Sequence, residues 1–311
     1  MRCKASLAFV LGLGVILGLA MTAQDMRSGR AEDREPGTMS FTLTYLERYK
    51  IKDKAQDLNE PSGLALTKKR DGFWTVSDDT RKAFRLDLEG RLDPKRTFKV
   101  PVSGLEGITL DGDGSHLVVV KEEDREDGKD EPNEIIKIEI KKGRVAERRP
   151  LESLAGYETV AGHFASGKEN KGFEGIAWNP DSGSYFLLKE GFPGLLLEVS
   201  ADLQRILSHR VLGWSNGFRD SDLSSAEIDY SGLSYDATRG AFWIVSDKAR
   251  RLFLYDPVKD AVIADAALGY VKDGKYREIE KAEGVTVDPE AGRLYVVSDE
   301  EGRLYVFDLR G

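Results

Sequence analysis

Short runs of aromatic and β-branched residues recur along the chain, separated by polar turns. Five of these runs begin with the same motif, which is Ser or Glu, then Gly, then an aliphatic residue. The motif occupies 62–64, 106–108, 174–176, 231–233 and 283–285. A second run follows each one, at 73–76, 117–120, 185–188, 242–245 and 294–297. The sequence therefore predicts five β-hairpins built to one pattern.

An acidic residue stands two positions after each second run and closes the hairpin, and its distance from the motif is constant. Sixteen positions separate the two in every copy (62 to 78, 106 to 122, 174 to 190, 231 to 247 and 283 to 299). The spacing from one copy to the next varies widely. Fixed inner hairpins joined by variable connections are typical of the blades of a β-propeller.

Further strand-like segments complete each unit, as at 83–87, 252–256 and 304–308. The last unit has room for only three strands, whereas 41–49 forms a strand-like segment ahead of the first unit. We expect 41–49 to pair with 304–308 and close the ring, because closure removes exposed sheet edges. The prediction is an all-β, five-bladed β-propeller over 41–311, with four antiparallel strands per blade, closed by the N-terminal strand.

The first 23 residues have the pattern of a secretory leader. Two basic residues precede the segment 5–23, which carries no charge. Its length suits either a cleaved signal peptide or a retained membrane anchor, and both interpretations place the propeller outside the cytoplasm, in the periplasm or tethered to the inner membrane. The polar segment 24–40 is predicted to be a linker. Cys3, the only cysteine, lies in the leader, so no disulfide is expected in the propeller.

The formal net charge is -8, which argues against nucleic acid or anionic lipid as a partner and favours cations. Contact with the membrane is expected only through the N-terminal segment, and the chain is expected to be a monomer. A length of 311 residues is compatible with one closed all-β domain.

Acidic residues are expected to converge at one end of the central channel, where inner strands begin and second strands end. The set comprises Glu106, Glu174, Glu283, Asp78, Glu122, Glu190, Asp247 and Asp299. Carboxylates held close together either take up protons or bind cations. An all-oxygen donor set favours a hard cation, and Ca²⁺ tolerates irregular coordination best. The sequence therefore predicts a calcium site formed from these eight acids.

A structural interpretation stays open beside it. Lysine precedes the closing acid in two units that begin with Glu, which suggests the ion pairs Glu106–Lys121 and Glu174–Lys189 within a blade. Glu283 faces Ser298 and lacks such a partner. Any closing acid can also serve only to cap its turn.

Other acidic and histidine patterns give weaker evidence for a metal site. The sequence from Asp111 to Gly114 imitates part of a calcium loop but occupies the position of a hairpin turn. The acidic run 122–127 is predicted to be a solvated loop. The three histidines show no spacing suited to zinc.

Several of these segments resemble the SdiA-regulated family of bacterial propellers. They are the sequences 59–64, 229–233, 245–247 and 282–285, together with the Glu-Gly-Ile units. The resemblance covers 41–311 and implies a five-bladed propeller behind an N-terminal membrane segment, with a calcium site. It assigns the calcium to no particular acid, because every unit offers similar ones.

Two functions fit these expectations. The first is a calcium-binding propeller with a binding or regulatory role, whose mouth takes a small molecule or a protein. The alternative is a calcium-dependent hydrolase of phosphate esters, esters or lactones. Binding is favoured, because a phosphate site needs cationic groups and both candidate lysines have glutamate partners in the structural interpretation.

Overall fold

The computed structural model describes residues 39–310 apart from 42, 123–131 and 165–171. Antiparallel sheets of four strands stand in a ring around a central channel, which confirms the predicted five-bladed propeller. The predicted leader and most of the predicted linker lie outside the described residues. No helix in the described ranges is long and apolar enough to cross a membrane.

The strands follow the chain blade by blade. Two N-terminal strands, β1 (Met39–Ser40) and β2 (Thr44–Lys50), precede blade 1, which consists of β3 (Leu64–Leu66), β4 (Phe73–Thr75), β5 (Lys82–Leu86) and β6 (Phe98–Lys99). Blade 2 consists of β7 (Leu105–Leu110), β8 (His116–Lys121), β9 (Glu134–Glu139) and β10 (Arg144–Pro150). Blade 3 consists of β11 (Phe173–Asn179), β12 (Ser184–Lys189), β13 (Gly194–Ser200) and β14 (Ile206–Leu212).

Blade 4 consists of β15 (Gly232–Asp236), β16 (Ala241–Ser246), β17 (Arg251–Asp256) and β18 (Ala261–Ala267). A separate hairpin follows, formed by β19 (Gly269–Lys272) and β20 (Lys275–Glu278). Blade 5 contains β21 (Ala282–Asp288), β22 (Arg293–Ser298) and β23 (Arg303–Asp308). Short 3-10 helices lie at Leu151–Ser153, Tyr157–Thr159, Ala161–Phe164 and Trp214–Asn216.

The ring closes through the N-terminal segment, as predicted. Strand β2 pairs antiparallel with β23, from Thr44 opposite Asp308 to Lys50 opposite Arg303, and becomes the outer strand of blade 5. The short β1, at the end of the predicted linker, pairs in parallel with β18 at the outer edge of blade 4. The N-terminal segment therefore pairs with the outer parts of both blade 4 and blade 5 and connects them.

The motif glycines form the innermost contacts between blades. A Cβ atom on Gly63 would lie 2.4 Å from the carbonyl oxygen of Glu106, and one on Gly284 would lie 2.4 Å from that of Ser62. Gly107, Gly175 and Gly232 approach the next blade in the same way. Only glycine leaves room for such an approach of two backbones. These five positions, called the glycine ring below, explain why the motif keeps its middle residue.

The core lies between adjacent blades, where aromatic side chains of neighbouring sheets meet. The rings of Phe73 and Tyr295 pack edge to face at 4.7 Å across blades 1 and 5. The rings of Phe186 and Phe242 lie 4.6 Å apart across blades 3 and 4. Because these rings fill the space between sheets, the acidic residues at the channel are held on a rigid frame.

Candidate metal site at the channel mouth

The channel mouth is the face of the ring where the inner strands begin and the second strands end. In blades 2, 3 and 5 the inner hairpin is irregular at the motif glutamate. Phe173 pairs with Lys189 but Gly175 already pairs with Leu188, which leaves Glu174 as an extra residue. The same shift surrounds Glu106 and Glu283. A β-bulge of this kind redirects the side chain of the extra residue.

In the two blades that begin with serine, regular strand pairing starts after the serine, with Leu64 opposite Thr75 and Gly232 opposite Val245. Ser62 donates its backbone N–H to Val76, and Ser231 donates to Val245, both at 3.0 Å. Both hydrogen bonds lie one residue out of this register, so the backbone is offset at the motif serine as it is at the motif glutamate, and the blades differ here in the side chain.

The structure brings all eight predicted acids together. The electrostatic neighbours of the three bulge glutamates are other members of the predicted set and Asp229, and together they come from all five blades. The predicted acids so connected are Glu106, Glu174, Glu283, Asp78, Glu122, Glu190, Asp247 and Asp299. Their proximity confirms the predicted convergence, whereas metal binding by them stays a prediction.

Crowding of like charge shifts the titration of the mouth. Burial, reinforced by neighbouring carboxylates, raises the pKa of Glu106 and Glu174 well above the usual range and that of Glu283 to about 8. Burial also raises the pKa of Asp78 and Asp247. The protein alone therefore disfavours the ionised form of these carboxyl groups.

The predicted ion pairs within blades are wrong. Lys189 donates to the backbone carbonyls of Gly191 and Pro193 at 3.0 and 3.4 Å, and Lys121 donates to the carbonyl of its neighbour Glu122 at 3.0 Å. Both lysines are buried and turn toward their own loops, where the carbonyl groups satisfy the ammonium at short range. Among the described residues, no ion pair reaches the three bulge glutamates.

Three further acids belong to this face and were missed. Asp229 accepts hydrogen bonds from the Ser246 hydroxyl at 2.6 Å and from the Lys248 backbone N–H at 3.0 Å, which caps the turn after β16. Glu60 lies with Asp78 and Asp79 in a compact carboxylate group. A signal existed in the sequence, because Glu60 and Asp229 each stand two residues before a motif serine.

The calcium-loop imitation is a hairpin turn, as predicted. Asp111 and His116 close the turn between β7 and β8 through backbone hydrogen bonding at 3.0 Å. The Asp111 carboxylate contacts the His116 ring at 2.9 Å and the Lys137 ammonium at 3.2 Å. It lies at the far end of the inner strand, away from the mouth.

We expect the calcium-free protein to lose stability as the pH rises from 5 to 8. A carboxyl whose pKa is higher folded than unfolded favours folding fully below its unfolded pKa, and this contribution is lost as the pH rises through the folded pKa. For Glu283 the loss begins in the usual glutamate range and ends at the folded pKa of about 8. Within that window each pH unit removes about 1.4 kcal/mol from the free energy of unfolding.

Urea unfolding with a chelator measures this pH dependence. Glu283→Gln should flatten the slope, whereas exposed Glu300→Gln should leave it unchanged. Equal slopes in all three proteins would contradict the assignment.

The chain is similar to one protein family in sequence and to solved structures in fold. The sequence profile of the SdiA-regulated family matches residues 43–308. The crystal structure of glutaminyl cyclase from Myxococcus xanthus aligns with a TM-score of 0.57 at 13% identity, over 87% of this chain and 97% of the cyclase chain. Hydrazine synthase from Kuenenia stuttgartiensis aligns with a TM-score of 0.48 at 11% identity, over 79% and 82% of the two chains. The likeness to the cyclase shows a common fold.

Proposed function

The chain belongs to the SdiA-regulated family, and we propose that it is a calcium-binding propeller that works outside the cytoplasm in a binding or regulatory role. The observation that carries the proposal is the trio of bulge glutamates, Glu106, Glu174 and Glu283. They lie deep in the mouth among other acids, and none forms an ion pair with a described residue. A cation supplies the charge that this arrangement lacks.

The donors at the mouth suit calcium. Carboxylate oxygens are hard ligands, and Ca²⁺ takes six to eight of them in flexible geometry. The three bulge glutamates would hold the ion, with the closing acids around them. Bound calcium would supply a fixed positive charge able to receive an anionic or carbonyl group of a ligand. The leader predicted at 1–23 from the sequence pattern is the support for export, and the proposed active form is a monomer.

Hydrolysis is the weaker alternative. A phosphate ester needs cationic groups to hold its oxygens in addition to the metal. Lys121 and Lys189 are 1% and 2% exposed, and their ammonium groups already bind backbone carbonyls. They are therefore poorly placed to receive an anion. A screen for phosphatase, esterase and glutaminyl cyclase activity, with calcium present, tests the alternative directly.

Calcium should raise the melting temperature in proportion to the logarithm of its concentration, by mass action on the folded state. Glu283→Gln and Glu106→Gln should each abolish the part of this rise due to the channel ion. Neither should lower stability in chelator, because no ion pair is lost. Titration calorimetry of the metal-stripped protein measures the affinity.

Glu300→Gln is the matched control, since Glu300 is exposed on the same face. It should keep the full calcium response. If the glutamine variants of Glu283 and Glu106 bind calcium as the parent does, the channel site is excluded.

A further inference from the structure

We propose a second cation site at the rim of the mouth, formed by Glu60, Asp78 and Asp79 at the seam between blades 5 and 1. Glu60 lies in the connection from β2 to β3, and the two aspartates lie in the turn between β4 and β5. This second site depends on the proposed function only in that it binds the same ion, Ca²⁺. Two of its three acids lie outside the repeated hairpin pattern.

The three carboxylates are already close enough to share one ion. Each residue offers an oxygen, and these oxygens lie within 4.8 Å of one another. Carboxylates around one Ca²⁺ ion, each at 2.3–2.6 Å from it, would be separated by at most about 5 Å. Within the parts of the chain that are described, this is the one such group at the mouth.

Blade 4 shows what the same position does without a cation site. Ser77 and Ser246 stand at equivalent places, because each follows the residue that accepts the backbone hydrogen bond of a motif serine. In blade 4 the Ser246 hydroxyl donates to Asp229 at 2.6 Å. Asp229 is the counterpart of Glu60, so the serine hydroxyl at this position is directed at that acid.

Blade 1 lacks this hydrogen bond. Ser77 is 0% exposed, and its hydroxyl oxygen has no hydrogen-bond partner. Glu60 is one methylene longer than Asp229, and its carboxylate oxygen lies within 4.8 Å of those of Asp78 and Asp79 instead. A fully buried hydroxyl without a partner is costly, and a cation held by Glu60 would provide the missing interaction. The equivalence with Ser246 directs the Ser77 oxygen toward the carboxylate group.

Neighbouring side chains add further buried oxygen atoms to this region. The Thr80 hydroxyl oxygen and one carboxylate oxygen of Asp299 are also buried without hydrogen-bond partners. The other Asp299 oxygen pairs with Lys281 at 3.2 Å. In the described residues no ion pair reaches Glu60, Asp78 or Asp79. The seam is therefore rich in acceptors and poor in positive charge, which is the chemistry of a site for a hard divalent cation.

Counting calcium ions by equilibrium dialysis of the full chain tests this site separately from the channel site. The parent should bind two ions per chain at saturation. The double variant Glu60→Gln, Asp79→Asn should bind one, whereas Glu283→Gln should lose the other. Glu300→Gln should bind two. A parent that binds one ion, lost in the rim variant but kept in Glu283→Gln, would retain the rim site and overturn the channel proposal.

Two results would overturn the rim site. One is a rim variant that binds as many ions as the parent with unchanged affinity. The other is a parent with a single ion that only the Glu283 variant loses, which would mean that Glu60 and Asp79 share no more than a proton. Should the double variant fail to fold, Ser77→Ala replaces it. That change should weaken rim binding at least tenfold while leaving the calcium-free melting temperature unchanged, and parent-like affinity in Ser77→Ala would count against the site.

Discussion

Replacing Gly284 with alanine is expected to destabilise the propeller by about 3 kcal/mol, at the upper end of the usual cost of overpacking. The new methyl group would lie 2.4 Å from the carbonyl oxygen of Ser62 and 2.9 Å from the backbone nitrogen of Leu64, which belong to the inner part of blade 1. Backbone atoms cannot relieve the clash by a change of rotamer as a side chain can. Blades 5 and 1 must therefore move apart. Chemical denaturation of parent and variant measures the loss.

Gly162→Ala is the matched control. Gly162 lies in a 3-10 helix, and a Cβ atom there would meet nothing within 4 Å. Its stability should change by less than about 1 kcal/mol, with a gain as the more natural sign, because alanine reduces the freedom of the unfolded chain. Similar effects from both substitutions would show that the glycine ring does not limit how closely the blades approach.

Deleting residues 1–50 is expected to make the protein aggregate. The deletion removes β2, which leaves the edge of β23 unpaired, and β1, which uncovers β18. Unpaired edges pair with other chains. Size-exclusion chromatography with light scattering should show large species or no recoverable monomer.

The comparison that isolates the strands is a deletion of 1–38, which keeps β1 and β2. This shorter deletion should give a monomer with the melting temperature of the full chain. A soluble, monomeric protein without residues 1–50 would refute the closure by β2.

Local pattern was sufficient to predict the blades and their closure. The constant spacing between the motif and its closing acid placed five inner hairpins, and the missing strand of the last blade identified the partner of 304–308. These features depend on strand propensity and on the avoidance of free edges, which act through neighbouring residues along the sequence and within one sheet. The hairpin β19–β20 was not anticipated, since it belongs to one connection only.

The site was harder to predict than the frame. Sequence placed Lys189 opposite Glu174 in the hairpin, but the bulge removes that register and the ammonium reaches the carbonyls of its own loop. Glu60 was missed because it belongs to the connection from β2 to β3. Its proximity to Asp79 depends on how the connection enters blade 1 beside the turn between β4 and β5. Contacts set by side-chain reach and by the path of individual connections leave little trace in a repeat pattern.

The distribution of the motif glutamates also breaks the symmetry of the ring. Glutamates occupy the motif position in blades 2, 3 and 5, while blades 1 and 4 carry serine. Two glutamates are therefore adjacent and the third stands across the channel, which gives the mouth a single direction in its own plane. A ligand that enters along the channel axis can be rotated to face any of the five blades, and these five orientations differ in energy. An asymmetric ligand at the mouth would therefore prefer one rotational orientation about the channel axis. A mouth with five identical blades could not select such an orientation.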